Sequence, residues 1–400
     1  MSKNYYFNGN ITVEVLNNYL DRALTHMMFA TKDDIFCEER LTSGIRAIKN
    51  TGAKYIQRAI AQWAPTIEQE IAYKEEFKKG IEAVHAFDPD VIFEGCIFEN
   101  VTEALNNIPV PAHVFEDFGL PVEERNFNLD KMLFNYDLYR NQWGEGCHVP
   151  DITKQETRLF FYHRACRLID IGVEALHLGQ TGLIGKFDVT NRFWSETINR
   201  IRAYALKNAR RHYVIINSHW SLHNFVGDHG RMLQDFNAYP CRIRAIAGQE
   251  DHVATEENPQ YCDLPIGYQC APYKADKMGI TPSGEFTEHY PYLVEFDNWG
   301  IRKHILNKCI DQWGFDEISW YMNQPKWYRH QFYKDSVELI DSYHENGHFA
   351  AAGSRCGYLL DKDNPDCVQK VTYYFIDMKK DNPYGFDDED FIRDFWASRE

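Results

Sequence analysis

The sequence predicts a (β/α)8 barrel, an α/β fold, and three observations support it. Eight short apolar runs of strand-like composition alternate with segments of helical periodicity along the 400-residue chain. Such alternation is typical of parallel sheets. The rival, an open doubly wound sheet, usually carries a glycine-rich phosphate loop after its first strand. The first predicted strand leads instead into Gln62 and Trp63, and no GxGxxG motif occurs anywhere. The predicted fold is therefore a closed barrel with its helices outside.

The predicted elements follow from residue type and periodicity. The eight predicted strands are residues 55–63, 91–99, 174–180, 213–220, part of 239–247, 292–300, 317–322 and 348–352. The predicted helices cover residues 13–29, 33–49, 67–86, 153–171, 192–209, 301–313 and 327–345. One further strand is predicted over residues 371–375.

These elements predict one barrel domain with additions at both ends. Residues 1–50 are expected to form an N-terminal helical extension packed on the barrel, residues 51–360 the catalytic barrel, and residues 361–400 an acidic C-terminal segment. Two long insertions, residues 100–150 and 249–288, are expected in the loops that follow strands. Long loops of this kind would wall a pocket and select its ligand.

Composition narrows the function classes. The chain is 44% apolar and 15% aromatic, which is enough for a large core and a ring-lined pocket. A formal net charge of −16 disfavours nucleic acid, whose phosphates require a basic surface. No export signal or membrane span is recognisable, and the ten cysteines form no CxxC pair. We therefore expect a cytoplasmic protein without nucleic-acid or membrane partners and without a cofactor; its oligomeric state stays open.

Two acidic residues stand out because they interrupt an apolar strand. Glu295 and Asp297 lie two positions apart in residues 292–300, so a strand would place both on one face. Burying an unpaired carboxylate is costly, and burying two neighbouring ones costs more. Such a pair is kept to bind a cation, to meet Arg or Lys, or to carry out proton chemistry. A structural ion-pair network with Arg58, Glu94, Arg242 and Arg244 is an equally open interpretation.

Polar and aromatic residues end almost every predicted strand. The strand ends of a (β/α)8 barrel meet at its catalytic face, so these side chains are expected to converge there. Amides, acids and histidine hydrogen-bond to sugar hydroxyls, and tryptophan stacks on sugar CH faces. The pattern predicts a small-molecule carbohydrate site. The predicted substrate-binding residues are Gln62, Trp63, Gln180, Asn217, His219, Trp220, Asn298, Trp299, Trp320 and Gln324.

The acids at these ends predict the reaction. Hydrolysis of a glycosidic bond uses two carboxyl groups across that bond. Glu99 is the expected acid, and Asp297 or Glu295 the expected nucleophile or base. Over residues 54–355 the chain resembles the (β/α)8 glycoside hydrolases at the level of fold and pattern. In their best-known clan an Asn-Glu pair after the fourth strand supplies the acid/base. Here residues 217–219, at the end of the predicted fourth strand, contain no Glu.

Two alternatives remain at the level of sequence. The first is a metal-dependent sugar isomerase, epimerase or amidohydrolase, in which His219, Glu295, Asp297 and Glu99 would ligate the metal. The second is a non-catalytic carbohydrate-binding barrel, since Gln180 and Asn217 stand where acids would be expected.

Overall fold

The computed structural model describes most of the chain. The described residues are 3–27, 29–30, 37–63, 67–219, 225–241, 244–245, 262–263, 278–297, 317–343, 345–360 and 368–399. The predicted strand ends at Trp220, Asn298 and Trp299, the predicted helix over residues 301–313, Arg242 and most of the insertion over residues 249–288 lie outside them.

Eight parallel strands form a closed ring. They are β1 Ala23–His26, β2 Tyr55–Ile60, β3 Ile92–Cys96, β4 Ala175–His177, β5 Ile215–Ser218, β6 Phe236–Pro240, β7 Tyr292–Glu295 and β8 Gly347–Phe349. Each strand pairs in parallel with the next. One residue after β8, strand β9 (Ala351–Leu360) begins and pairs in parallel with β1. The chain that runs from β8 into β9 therefore closes the sheet, which confirms the predicted (β/α)8 barrel.

The described ranges contain ten helices. They are α1 Val13–Leu20, α2 Cys37–Thr51, α3 Ile67–His85, α4 Ala112–Asp117, α5 Gln155–Asp170, α6 Thr181–Ile184, α7 Arg192–Asn208, α8 Glu317–Met322, α9 Lys326–Tyr343 and α10 Glu389–Ala397. Short 3-10 turns lie at Glu103–Asn107, Leu129–Lys131, Asn135–Asp137 and Asp228–Gly230. None of the helices in the described ranges is long and apolar enough to span a bilayer.

Helix α1 covers the N-terminal ends of the strands. Thr12 caps this helix by accepting a hydrogen bond from the Val15 N–H at 3.3 Å. The buried face of α1, which includes Leu16 and Tyr19, shares one apolar cluster with the first residues of several strands, such as Tyr55 and Ile92. Burying an aliphatic side chain in this way contributes about 1.5–3 kcal/mol. The opposite end of the barrel is thus the one left open for a site.

Two element predictions were wrong: one strand was missed, and one helix was predicted as a strand. The number of barrel strands is therefore still eight. The helix predicted over residues 13–29 ends near Leu20, and β1 follows it within the same apolar stretch. All four residues of β1 are buried, so the strand shows no alternation that would separate it from a buried helix. Residues 317–322 form helix α8 instead of a strand, and all six are buried. Short apolar runs do not distinguish the two structures.

The strand numbering shifts by one as a result. Glu295 ends the seventh strand instead of the sixth, and the fourth strand is β4, which leads into Gln180. The sixth strand spans Phe236–Pro240, earlier than the stretch predicted within residues 239–247. The predicted domain boundaries at residues 50 and 360 remain predictions. Both flanking segments contribute to the main sheet, through β1 and through β10 (Val368–Phe375), which pairs antiparallel with β9.

Candidate active site

A cavity of about 450 Å³ opens at the C-terminal ends of the strands. Strands β1 to β5, β7 and β9 each contribute to it, either directly or through the loop that follows, and the long segment after β3 adds Trp143. The lining residues are Met27, Arg58, Ala61, Trp63, Phe98, Glu99, Trp143, Gln180, His219, Asp297 and Arg355. Its volume is within the range of small-ligand sites, and its position is that of the active site in barrels of this kind.

Glu99 lies on one side of the cavity and accepts its hydrogen bonds from Gln180. The Gln180 backbone N–H donates to Glu99 Oε2 at 3.1 Å, and the Gln180 side-chain amide donates to Oε1 at 3.0 Å. The preceding residue, Gly179, has φ +60°, and a Cβ there would overlap with Glu99 Oε2. Glycine at this position therefore allows both the left-handed turn after β4 and the close approach of the carboxyl group.

Arg58 reaches the cavity because strand β2 is irregular. Its φ is 59°, a left-handed conformation unusual for a non-glycine residue, and the β2–β3 pairing shifts register between Ile56 and Ile60. Bulges of this type re-aim side chains next to active sites. The redirected guanidinium donates to both Glu295 oxygens, with Nε 3.1 Å from Oε2.

Glu295 and His219 complete this ion-pair cluster. His219 Nε2 lies 2.6 Å from Glu295 Oε1 and 2.5 Å from Arg58 Nη2. The Glu295 side chain has no exposed surface, and Arg58 and His219 stand between it and the cavity. Glu295 thus forms a buried ion pair with Arg58, which is the structural interpretation that the sequence had left open.

Asp297, unlike Glu295, lines the cavity. Its Oδ1 accepts a hydrogen bond from Arg355 Nη2 at 3.2 Å, and its Oδ2 lies 3.9 Å from His219 Nε2. The backbone N–H of Asp297 donates to Glu317 Oε2 at 2.8 Å. The start of helix α8 therefore holds the end of β7 in place.

The acids of this cavity have opposite pKa shifts. Burial raises the pKa of Glu99, and the hydrogen bonds it accepts, together with the charge of His219, offset only part of that rise. Burial also acts to raise the pKa of Asp297, but His219, Arg58 and Arg355 outweigh it and lower the pKa. The same competition, dominated by Arg58 and then His219, holds the pKa of Glu295 well below its usual range. Glu99 therefore retains its proton at a pH where Asp297 is ionised.

A second polar cluster fills the barrel one layer below the cavity. Asn217 Nδ2 donates to Glu94 Oε2 at 2.7 Å, and Asn217 Oδ1 lies 2.7 Å from His177 Nδ1. Glu94 also accepts hydrogen bonds from the Tyr55 hydroxyl at 2.5 Å and from the Arg58 N–H at 3.0 Å. This cluster fixes the backbone of the strained residue Arg58. Asn217 is fully buried within it and does not line the cavity.

Three aromatic rings form one wall of the cavity. Trp63 lies 5.2 Å from Phe98 and 5.8 Å from Trp143, measured between ring centroids. The Trp143 indole donates to the backbone carbonyl of Glu99 at 3.1 Å. We call Trp63, Phe98 and Trp143 the aromatic wall.

The structure brings five of the predicted site residues to the cavity surface: Trp63, Glu99, Gln180, His219 and Asp297. It places others elsewhere. Gln62 faces helices α3 and α5 on the outside of the barrel, beside Tyr73 and Leu168. Trp320 is a core residue of α8, with its ring 5.0 Å from that of Phe332. Gln324 is buried after α8, where its amide donates to the Trp320 carbonyl at 3.1 Å.

Sequence reasoning missed several residues of this cavity. Met27 and Phe98 were not singled out, and Arg58 was assigned to the barrel interior. Trp143 lies 44 positions after Glu99, and no local pattern marks it. Arg355 lies just beyond the last predicted barrel strand, residues 348–352. Its position in β9, directly after the eighth strand, was the available signal.

The four predicted metal ligands do not form a metal site in this arrangement. The Arg58 guanidinium lies beside His219 and Glu295 and supplies the positive charge that a metal ion would otherwise bring. Glu99 is held apart by Gln180. Among the described residues, no three His, Cys, Asp or Glu side chains are grouped as metal ligands.

Comparisons with known proteins give similarity of fold only. No protein-family model matches the chain, and no curated protein sequence does. Among solved structures, a GH113 β-1,4-mannanase is 12% identical, with TM-score 0.42 over 95% of this chain and 99% of the other. A GH113 β-mannanase from Alicyclobacillus acidocaldarius is 11% identical, with TM-score 0.44 over 96% and 100%. The debranching enzyme of Nostoc punctiforme is 12% identical, with TM-score 0.45 over 95% and 79%.

These similarities are too weak to carry an argument about activity. A ribulose-1,5-bisphosphate carboxylase/oxygenase from Pyrococcus horikoshii matches as well, at 9% identity and TM-score 0.37 over 90% of this chain and 61% of the other. A barrel supports many chemistries, so the function has to be argued from the site.

Proposed function

We propose that this protein is a glycoside hydrolase that cleaves a glycosidic bond in a small oligosaccharide or glycoside. One observation carries the proposal: Glu99 and Asp297 line the same cavity, and their environments move their pKa values in opposite directions. Two carboxyl groups held in different protonation states are the requirement of glycoside hydrolysis.

The proposed roles follow from the protonation states. Glu99, kept neutral by burial, donates its proton to the glycosidic oxygen as the bond to the leaving group breaks. Asp297, kept ionised by its cationic neighbours, acts on the anomeric carbon. It either attacks that carbon as the nucleophile or removes a proton from an attacking water molecule. Both routes use the same two residues, and NMR of the first-formed anomer distinguishes them.

The remaining cavity residues have supporting roles in this proposal. Glu295 holds the Arg58 guanidinium in place beside His219. Arg355 orients Asp297 through its 3.2 Å hydrogen bond. Gln180 holds Glu99 beside the end of the fourth strand.

The Asp297→Asn variant tests the proposal. In a panel of 4-nitrophenyl α- and β-glycosides, we expect the wild type to hydrolyse at least one compound. Asp297→Asn, which keeps the size of the side chain but removes its charge, is expected to lose at least about 10³-fold in kcat/KM. Asp137→Asn is the matched control, because the Asp137 side chain is 78% exposed and pairs with Arg140, and neither residue lines the cavity.

Three outcomes would contradict the proposal. Full activity in Asp297→Asn would remove Asp297 from the mechanism. Activity that a chelator abolishes and a divalent ion restores would favour a metal-dependent isomerase or amidohydrolase. Calorimetric binding of a sugar without turnover of any glycoside would favour a non-catalytic carbohydrate-binding barrel.

A further inference from the structure

The aromatic wall is attached to the acid side of the cavity. All three of its rings are tied to residues 98–100: Phe98 directly precedes Glu99, and the Trp143 indole donates to the Glu99 carbonyl at 3.1 Å. The Asn100 side chain donates to the Trp63 carbonyl at 3.3 Å. The Asp297 carboxylate instead lies beside the polar side chains of Arg355 and His219. The cavity therefore has an aromatic half and a charged half, which meet where the Arg58 guanidinium lies 5.7 Å from the centre of the Phe98 ring.

The position of a general acid identifies the half that holds the leaving group. The acid protonates the glycosidic oxygen, and this oxygen departs with the leaving group. The part of the substrate beyond that oxygen therefore lies on the side of Glu99. The sugar that is attacked lies toward Asp297, whose carboxylate can stabilise the positive charge that develops at its ring. The polar groups beside Asp297 can hydrogen-bond to the hydroxyls of that sugar.

We propose that Trp63, Phe98 and Trp143 form a leaving-group subsite, which binds an uncharged sugar ring or aryl ring by its face. The inference rests on the proposed function and adds to it the class of leaving group. Trp63 supports it independently, since this residue is 41% exposed at the edge of the cavity, whereas Trp194, Trp320 and Trp396 are at most 3% exposed. An exposed ring beside two others offers the flat apolar surface on which sugar CH faces and aromatic rings stack.

Substrates with the same sugar but different leaving groups test this subsite. A glycosyl fluoride carries only a fluorine atom there, whereas a 4-nitrophenyl glycoside and a disaccharide each place a ring on the wall. We expect Trp63→Ala to lower kcat/KM for the two ring-bearing substrates by about tenfold or more, and to leave the fluoride within about twofold. Trp63→Phe, which keeps a ring, is expected to restore most of the loss.

Three further variants guard against a structural explanation. Trp143→Phe keeps the ring but removes the N–H that binds the Glu99 carbonyl, and it is expected to keep more activity on ring-bearing substrates than Trp143→Ala. Tyr136→Ala is the matched control, because Tyr136 lies in the same segment, is fully exposed and does not line the cavity. It is expected to behave as the wild type on all three substrates.

The failure of this inference is distinguishable from the failure of the proposed function. If the wild type hydrolyses none of the fluorides, aryl glycosides or disaccharides, the proposed function fails and the subsite fails with it. If the wild type is active but Trp63→Ala loses equally on the fluoride and the ring-bearing substrates, only the subsite is wrong. An unchanged Trp63→Ala on every substrate would overturn the subsite as well.

Discussion

The two sides of the cavity are buried alike and differ in what surrounds their carboxyl groups. Glu99 is 4% exposed and Asp297 is 8% exposed, so desolvation penalises the charged form of both. Glu99 is met by neutral amide groups of Gln180, and the charge of His219 lowers its pKa by less than burial raises it. Asp297 is met by Arg355, with His219 and Arg58 close enough to lower its pKa. The comparison shows that the charge of the partners, and not the depth of burial, separates the acid from the ionised carboxylate.

Among the variants below, the largest effect is expected when Glu99 loses its proton. Glu99→Gln keeps the shape of the side chain but has no proton to donate, so kcat/KM for substrates with poor leaving groups is expected to fall by about 10²–10⁴-fold. Substrates with strongly activated leaving groups, such as 2,4-dinitrophenyl glycosides, need little protonation and are expected to lose far less. A series of aryl glycosides of graded leaving-group pKa measures this difference.

The pH profile of the same variant gives a second measurement. The raised pKa of Glu99 keeps it protonated to higher pH, so wild-type activity should fall as the pH rises through that pKa. The lowered pKa of Asp297 sets the acidic limb, where activity is lost as the pH falls through it. Glu99→Gln should lose the basic limb and keep the acidic one. A basic limb that persists in this variant would assign it to another group.

The next effect concerns stability and the charged side. Arg58→Met removes the main partner of Glu295, and leaving one member of a buried ion pair unpaired is expected to cost about 3–5 kcal/mol of the free energy of unfolding near neutral pH. Denaturant titration measures the loss. Arg393→Met is the matched control. It breaks ion pairs of a side chain that is 44% exposed, and it is expected to cost less than about 1 kcal/mol.

The pH dependence of this loss has a defined sign. Since the pKa of Glu295 is depressed in the folded protein, its contribution to stability is present above the pKa of an unfolded glutamate. That contribution disappears as the pH falls through the depressed value. The difference between wild type and Arg58→Met should therefore shrink toward acid pH. A difference that stays constant with pH would show that Arg58 stabilises through packing and not through the charge of Glu295.

Sequence alone predicted the features that depend on local composition. Strand β3 and helices α3, α5 and α7 were predicted close to their observed bounds because each has a clear apolar pattern between turn residues. Glu99 and Asp297 were found because they lie at or near the C-terminal ends of predicted strands. Strand β1 was missed because its four residues continue the apolar stretch of α1, and α8 because it is buried on every side.

The rest of the site depends on tertiary structure. The left-handed backbone of Arg58 carries no sequence signal, since nothing in residues 55–60 marks a bulge, yet this conformation directs the guanidinium to Glu295. The sequence also could not predict that Glu99 and Asp297 have different protonation states. Two acids after two strands are equivalent in a sequence, and they become different only when Gln180 and Arg355 are placed beside them.

The smallest effect sharpens the comparison at the neutral side. Gly179 and Gly119 have similar positive φ values, +60° and +67°, but a Cβ at Gly179 would overlap with Glu99 Oε2, whereas one at Gly119 would meet no atom within 4 Å. Gly119→Ala should cost only the strain of a left-handed alanine, about 1–2 kcal/mol. Gly179→Ala should cost about 1–3 kcal/mol more, because Glu99 has to move.

Activity separates this displacement of Glu99 from a general loss of stability. At a temperature where both variants are folded, Gly119→Ala should keep wild-type kcat/KM. Gly179→Ala should lose activity mainly on substrates with poor leaving groups, which depend on a correctly placed proton donor. Equal stability losses in the two variants, with unchanged leaving-group dependence, would show that Glu99 tolerates the added methyl group and that its hydrogen bonds to Gln180 do not fix its position. The loss of activity in Gly179→Ala therefore measures how precisely Glu99 has to be positioned to act as the acid.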